Sequence, residues 1–164
     1  MLTESFFVAP VCRRNETGMR IDMLVRTPTR EGEGNKNDTI SKLEALKAFY
    51  YLETGDTTNA LISEKKYLTI AQNNPLGLFF MANYYYRYIG DSSYINKSEK
   101  ILKKAYKLDS DDYSIVGLLA EMMYKSKDYD SAIIYIDKAI KLYTKNGMSS
   151  GKFEQLKEVI KTKK

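Results

Sequence analysis

The chain has 164 residues, 43% hydrophobic and 29% charged, with a formal net charge of +5. That balance belongs to a folded soluble chain rather than a disordered one. Histidine is absent and Cys12 is the single cysteine, which excludes an intrachain disulfide and histidine acid–base chemistry and argues against a Cys/His zinc site.

No apolar run reaches the roughly 18 residues that a membrane span requires. The first apolar stretch, Phe6 to Val11, has no basic residue before it, so it reads poorly as a signal peptide. Ala9-Pro10-Val11 ahead of Cys12 fits a lipoprotein cleavage site badly. A cytoplasmic protein is expected, or an exported one if a signal once preceded this sequence.

Residues 1–35 differ in composition from the rest. They hold Arg13, Arg14, Arg20, Arg26 and Arg30 but no lysine or tyrosine, whereas all 14 tyrosines and a single arginine, Arg87, follow Lys36. Phe7, Ala9 and Val11 alternate with other residues, as do Ile21, Met23 and Val25, a pattern of two short strands joined at Cys12–Gly18. A lone hairpin is marginal in water. Three readings stand side by side: a hairpin docked on the remainder, a binding arm, or sequence foreign to the natural chain. Arg30 to Asp38 reads as a polar linker, so residues 1–38 form an N-terminal extension.

From Thr39 the apolar spacing turns helical. Leu43, Leu46, Phe49 and Tyr50 share a helix face, and Ser41 with Glu44 matches a capping box. Gly55-Asp56 ends that helix, and Ala60, Leu61, Leu68 and Ala71 mark the next, up to Asn73-Asn74-Pro75. A third runs from Pro75 to Ile89, with proline in its first turn. Ile101, Leu102, Ala105 and Leu108 mark a fourth, then Val116, Leu119, Ala120 and Met123 a fifth. Ala132, Ile136, Ala139 and Tyr143 mark a sixth. Few breakers, nine glycines and three prolines, fit long helices. After Gly147–Ser150, residues 147–164 supply a last amphipathic helix through Phe153, Leu156, Val159 and Ile160.

The frame K-A-x-K-L occurs at Lys104–Leu108 and again at Lys138–Leu142, 34 residues apart. A fixed period of this length marks stacked helix pairs. Leu119, Ala120 and Tyr124, then Asp128 to Ile133, then Ile136, Ala139 and Leu142 carry a resemblance: residues 113–146 resemble a tetratricopeptide repeat. Residues 76–111 fit through Phe79, Tyr86, Leu102, Ala105 and Leu108, with three extra residues and with Ser98 in place of the small alanine. Residues 41–74 agree at Ala48, Tyr51, Gly55-Asp56 and Ala60 but depart at Glu64 and Tyr67.

The resemblance implies an all-α, right-handed solenoid of three antiparallel helix pairs over residues 39–146, closed by a C-terminal capping helix. A plain helix bundle with accidental periodicity is the alternative. It also implies that the first helix of each pair lines a concave, peptide-binding wall. By position that wall takes Ala45, Phe49 and Leu52, then Phe80, Tyr84, Arg87 and Tyr88, then Ser114, Gly117, Glu121 and Tyr124. The lysine and asparagine clamp that some members close on a terminal carboxylate is absent, since Ala45, Phe49, Met81, Ser114 and Leu118 stand there. An apolar or aromatic segment is the expected ligand. Tyrosine and arginine are frequent interface anchors, and the bland reading is that several of these tyrosines fill the core.

Lys97, Lys100, Lys104 and Lys107 form a helical stripe, read as solvated surface, with an acidic partner or nucleic acid as the sharper alternative. Asp109, Asp111 and Asp112 lack the ligand spacing of a calcium loop, since Tyr113 and Ser114 follow, and read as a turn with a helix cap. No phosphate loop or catalytic motif appears. The expectation is a non-enzymatic protein–protein interaction scaffold with no cofactor or metal, acting on a protein or peptide partner. Nucleic acid is not expected. A secretion-type chaperone or a pilus or secretion assembly factor of the same repeat class is the nearer alternative, and a carboxylate-based hydrolase the remote one.

Overall fold

Short polar side chains set most of the helix starts. The computed structural model describes residues 36–89 and 91–162. They form α1 (Lys36–Glu53), α2 (Thr57–Ile70), α3 (Pro75–Tyr84), α4 (Ser92–Leu108), α5 (Tyr113–Lys125), α6 (Tyr129–Lys145) and α7 (Gly151–Lys161), with a π-helical turn over Tyr85–Ile89 continuing α3. The architecture is all-helical, with no strand among the described residues. The hairpin expected within residues 1–35 lies outside them.

The first N–H groups of a helix have no partner within it. Asp56 accepts from Asn59 N at 3.1 Å, Asn74 from Gly77 N at 3.0 Å, and Asp91 from Ser93 N at 2.8 Å. Asp112 accepts from Ser114 N and Ile115 N, and Asp128 from Ser131 N. Gly55 (φ 81°) and Gly147 (φ 69°) stop α1 and α6 in the left-handed region, and Lys127 (φ 64°) does the same after α5 despite its Cβ. Two boundaries differ from the sequence expectation. α1 begins at Lys36, inside the expected linker, so Ser41 lies within the helix instead of capping it. The third helix leaves α geometry at Tyr85.

Helices adjacent in sequence pack together: α1 with α2, α3 with α4, α5 with α6. α4 also packs on α5 and α6 on α7, and α3 and α7 each touch α5. Ala48, Ala60, Ala82, Ala105, Ala120, Ala132 and Ala139 are all essentially buried, as small residues must be where helix axes approach closely. Between them stand Leu78, Met81, Leu102, Ile115, Leu119 and Ile136, each almost fully enclosed. Burying one such side chain contributes about 1.5–3 kcal/mol, so this interior supplies most of the drive to fold.

Three polar residues within this interior have specific work. Ser98, where an alanine was expected, donates to the carbonyl of Ala82 at 2.6 Å from full burial. The same carbonyl also accepts the Tyr85 N–H at the end of α3, so Ser98 adds a second donor just upstream of the π-turn. Glu64 is buried yet ion-paired with Lys97 of α4. Tyr67 is buried and donates to the carbonyl of Gly77 at 2.8 Å. The two residues of α2 that departed from the repeat pattern thus tie α2 to the helices that follow.

Candidate functional site

The first-helix positions singled out in the sequence fall into an aromatic cluster and a charged line. Phe49 of α1 and Tyr84 of α3 are both buried and stack with ring centroids 3.6 Å apart and planes inclined by 22°. Tyr88, in the π-turn, stacks on Tyr84 at 5.8 Å and is exposed. Leu52 and Phe80 are half-buried, and Phe80 leans on Phe79. Ala45 is buried. Phe49, Tyr84 and Tyr88 thus form one column that runs from the interior to the surface.

The charged line begins at Arg87. Its Nε donates to Asn83 Oδ1 at 2.8 Å, and its Nη2 donates to both oxygens of Glu121, at 3.1 and 3.3 Å. Lys152 of α7 is bonded to the same carboxylate. Glu121 is mostly enclosed, while Arg87 and Lys152 are far more open. One carboxylate between two cations leaves the line net positive. Lys125 Nζ lies 4.8 Å from the Tyr86 ring centre and Arg87 Cζ 6.0 Å from it, within range of cation–π attraction.

Three predicted wall residues sit apart from a free surface. Gly117 is buried, and a Cβ there would meet Phe153 Cζ and Tyr143 Oη at 3.0 Å. The position is therefore a seat for α7. Tyr124 is half-buried and packs on Tyr129 of α6. Ser114 is also half-buried, its N–H bonded by the Asp112 cap. The open members of the set are Arg87 and Tyr88.

Burial governs the phenols. It raises Tyr84 far above the ordinary tyrosine value, helped by the Glu53 charge, and raises Tyr85 further still, helped by Glu64. Tyr86 is pushed up to about 12, again by burial first and by Glu121 second. All three are neutral phenols at any physiological pH. The Tyr86 hydroxyl has no hydrogen-bond partner, while that of Tyr85 faces Glu64.

The lysine stripe of α4 borders a separate cleft. A cleft of about 520 Å³ is lined by Leu61, Leu68, Lys65, Lys97 and Lys104, with Glu64 at its wall. Lys97 is committed to Glu64, which lowers the positive charge available there. The aspartates after α4 serve local structure. Asp109 Oδ1 accepts from the N–H groups of Asp111 and Asp112, Asp111 pairs with Lys138 at 3.1 Å, and Asp112 caps α5.

Sequence reasoning missed the Glu121–Lys152 bond, the stacking of Phe49 on Tyr84 and the closure of Gly117 by α7. The signal for the first was the acid at Glu121 with Arg87 one period before it and Lys152 31 residues after it. No helix among the described residues is long and apolar enough to cross a membrane. No family model matches the chain, and no curated protein sequence matches it.

Proposed function

We propose that this chain is a protein–protein interaction module of tetratricopeptide-like build: a solenoid of three antiparallel helix pairs that holds a peptide segment or partner domain against the wall formed by its first helices. The reading acts through binding rather than catalysis. Arg87 and Glu121 support it, because they occupy corresponding places on α3 and α5, are 34 residues apart and bond to each other. A chain built of pairs repeated at that interval brings such residues side by side.

The observation that carries the binding reading is the pairing of an exposed tyrosine with an exposed arginine, Tyr88 and Arg87, on a rigid buried base. Tyr88 rests on Tyr84, which itself stacks on Phe49, so its ring is held in place before any partner arrives. Rigid aromatic area and a planar cation are efficient anchors because little freedom is lost on binding. The neighbouring charge is net positive, so an apolar or aromatic segment with an acidic flank suits the wall best.

Selection of a random peptide library on the full chain tests this. Selected peptides should be rich in aromatic residues with acidic neighbours. Tyr88→Ala and Arg87→Ala should each weaken the selected peptides about tenfold or more while leaving the helical circular dichroism unchanged. Affinity unchanged in both variants removes the assignment. Tyr84→Ala is less informative, because Tyr84 is buried and its loss would also destabilise the fold.

A further inference from the structure

The second helices of the first two pairs concentrate the positive charge. α2 and α4 together hold seven lysines against two glutamates, a net +5, which equals the net charge of the whole chain. Elsewhere lysines serve as joints: Lys138 pairs with Asp111, Lys152 with Glu121 and Lys157 with Asp137. On α2 and α4 only Lys97 and Lys103 have an acid, Glu64 and Glu99. Lys65, Lys66, Lys100, Lys104 and Lys107 have no acidic partner among the described residues.

Two of these unpaired lysines, Lys65 and Lys104, line the cleft of about 520 Å³ between the two helices. Beside them Leu61 is 54% exposed and Leu68 half-buried. Glu64 of α2 reaches across to Lys97 of α4, so a carboxylate is what this lysine row takes from within the chain. Lys104, two turns further along α4, has no such carboxylate. The spacing of the walls adds a second constraint. Leu61 and Leu68 are seven residues apart, as are Lys97 and Lys104, so each pair spans about 10 Å of its helix. A docked helix brings side chains back to one face over the same seven residues. An extended strand covers that distance in about three residues and turns the third to its opposite face. The cleft therefore repeats at the period of a helix.

Apolar side chains and carboxylates on one helix answer both walls. A nucleic acid has the negative charge but no aliphatic side to cover Leu61, and a membrane surface is too flat to enter a cleft between two helices. We propose that the α2–α4 cleft docks an acidic amphipathic helix of a partner protein, which sets apolar side chains on Leu61 and Leu68 and carboxylates against Lys65 and Lys104. Such docking joins an apolar groove to charge complementarity. The cleft shares no residue with the Tyr88–Arg87 wall and does not depend on what that wall binds.

Fluorescence anisotropy of the full chain with a labelled synthetic peptide of about 18 residues, with leucines at heptad spacing and glutamates on the flanking positions, gives the test. A dissociation constant of about 1–100 µM is expected for so small an interface, rising severalfold between about 50 and 300 mM salt. Lys65→Glu with Lys104→Glu should raise it about a hundredfold, and Leu61→Asn about tenfold. Lys141→Glu with Lys145→Glu makes the same charge change on α6 and should move it by less than about threefold. All five positions are exposed, so the helical circular dichroism should not change. A peptide of the same composition with its leucines spread around the helix should bind at least about tenfold more weakly. The proposal is overturned if the designed peptide does not bind below about 1 mM, if the scrambled peptide binds equally well, or if the α6 reversals weaken binding as much as those in the cleft. A single-stranded oligonucleotide or phosphatidylserine vesicles that bind more tightly than the peptide, and through the same two lysines, overturn it as well.

Discussion

Tyr67 and Tyr86 are two buried tyrosines whose hydroxyls stand in opposite situations, and removing one oxygen from each should have opposite effects. The Tyr67 hydroxyl donates to Gly77 O at 2.8 Å. Tyr67→Phe gives up one satisfied hydrogen bond, which costs about 1 kcal/mol. The Tyr86 hydroxyl is buried and has no partner. Its desolvation was never offset, so Tyr86→Phe should stabilise the fold by about 1–2 kcal/mol. The ring stays, so the approach of Lys125 to its face at 4.8 Å is kept. Urea unfolding followed by circular dichroism reads both variants, and a shift of roughly 2–8 °C in Tm per kcal/mol gives an independent check. If both substitutions destabilise to the same degree, the reasoning from unpaired buried hydroxyls fails.

Four further outcomes follow from the geometry. Lys127 holds a left-handed backbone that favours glycine, so Lys127→Gly should raise stability by about 0.5–1 kcal/mol in the same urea assay. Gly117→Ala would press a methyl group onto Phe153 and Tyr143. It should speed amide hydrogen exchange in α7 before any other helix, with a net loss of about 1 kcal/mol after the helix-propensity gain is subtracted. Ser98→Ala removes the donor to Ala82 O and should cost about 1–2 kcal/mol by chemical denaturation. Asp56, Asp91 and Asp128 are held below the ordinary value of 3.8, each chiefly by a side-chain hydrogen bond, to Asn59, Ser93 and Ser131 respectively. A depressed folded pKa means that their stabilisation is present above that value and is lost as pH falls through the folded one. The urea midpoint should therefore drop on acidification below pH 3.8, and the triple Asp→Asn variant should show a flatter acid limb.

Helix number and turn positions were legible because they rest on local chemistry. Asp56, Asp91, Asp112 and Asp128 cap from fixed offsets, and Gly55 and Gly147 stop helices where positive φ is required. The start of α1 was not legible, because Gly32 and Gly34 made the stretch up to Asp38 look like a linker, yet the chain is helical from Lys36. The roles of Glu64 and Ser98 depend on partners 33 and 16 residues away, which no local pattern reveals. At the candidate site, the aromatic density of Phe79–Tyr88 was visible, but which rings are buried was not. Tyr84, Tyr85 and Tyr86 went inside and Tyr88 outside, a partition that no 3.6-residue wheel predicts.

The widened turn at Tyr85–Ile89 explains that partition and has a consequence for change in the chain. A wider turn advances the helix by less than 100° per residue, so three successive tyrosines can share the interior before Arg87 and Tyr88 swing out. Removing one residue from this stretch would tighten it into ordinary α-helix, and four residues at about 100° cover nearly the same angle as five in the wider turn, so what lies downstream keeps its direction. The molecule would lose one enclosed ring yet keep Arg87 and Tyr88 turned outward. A single-codon deletion here thus regularises the helix at the expense of the interior while sparing the outward pair.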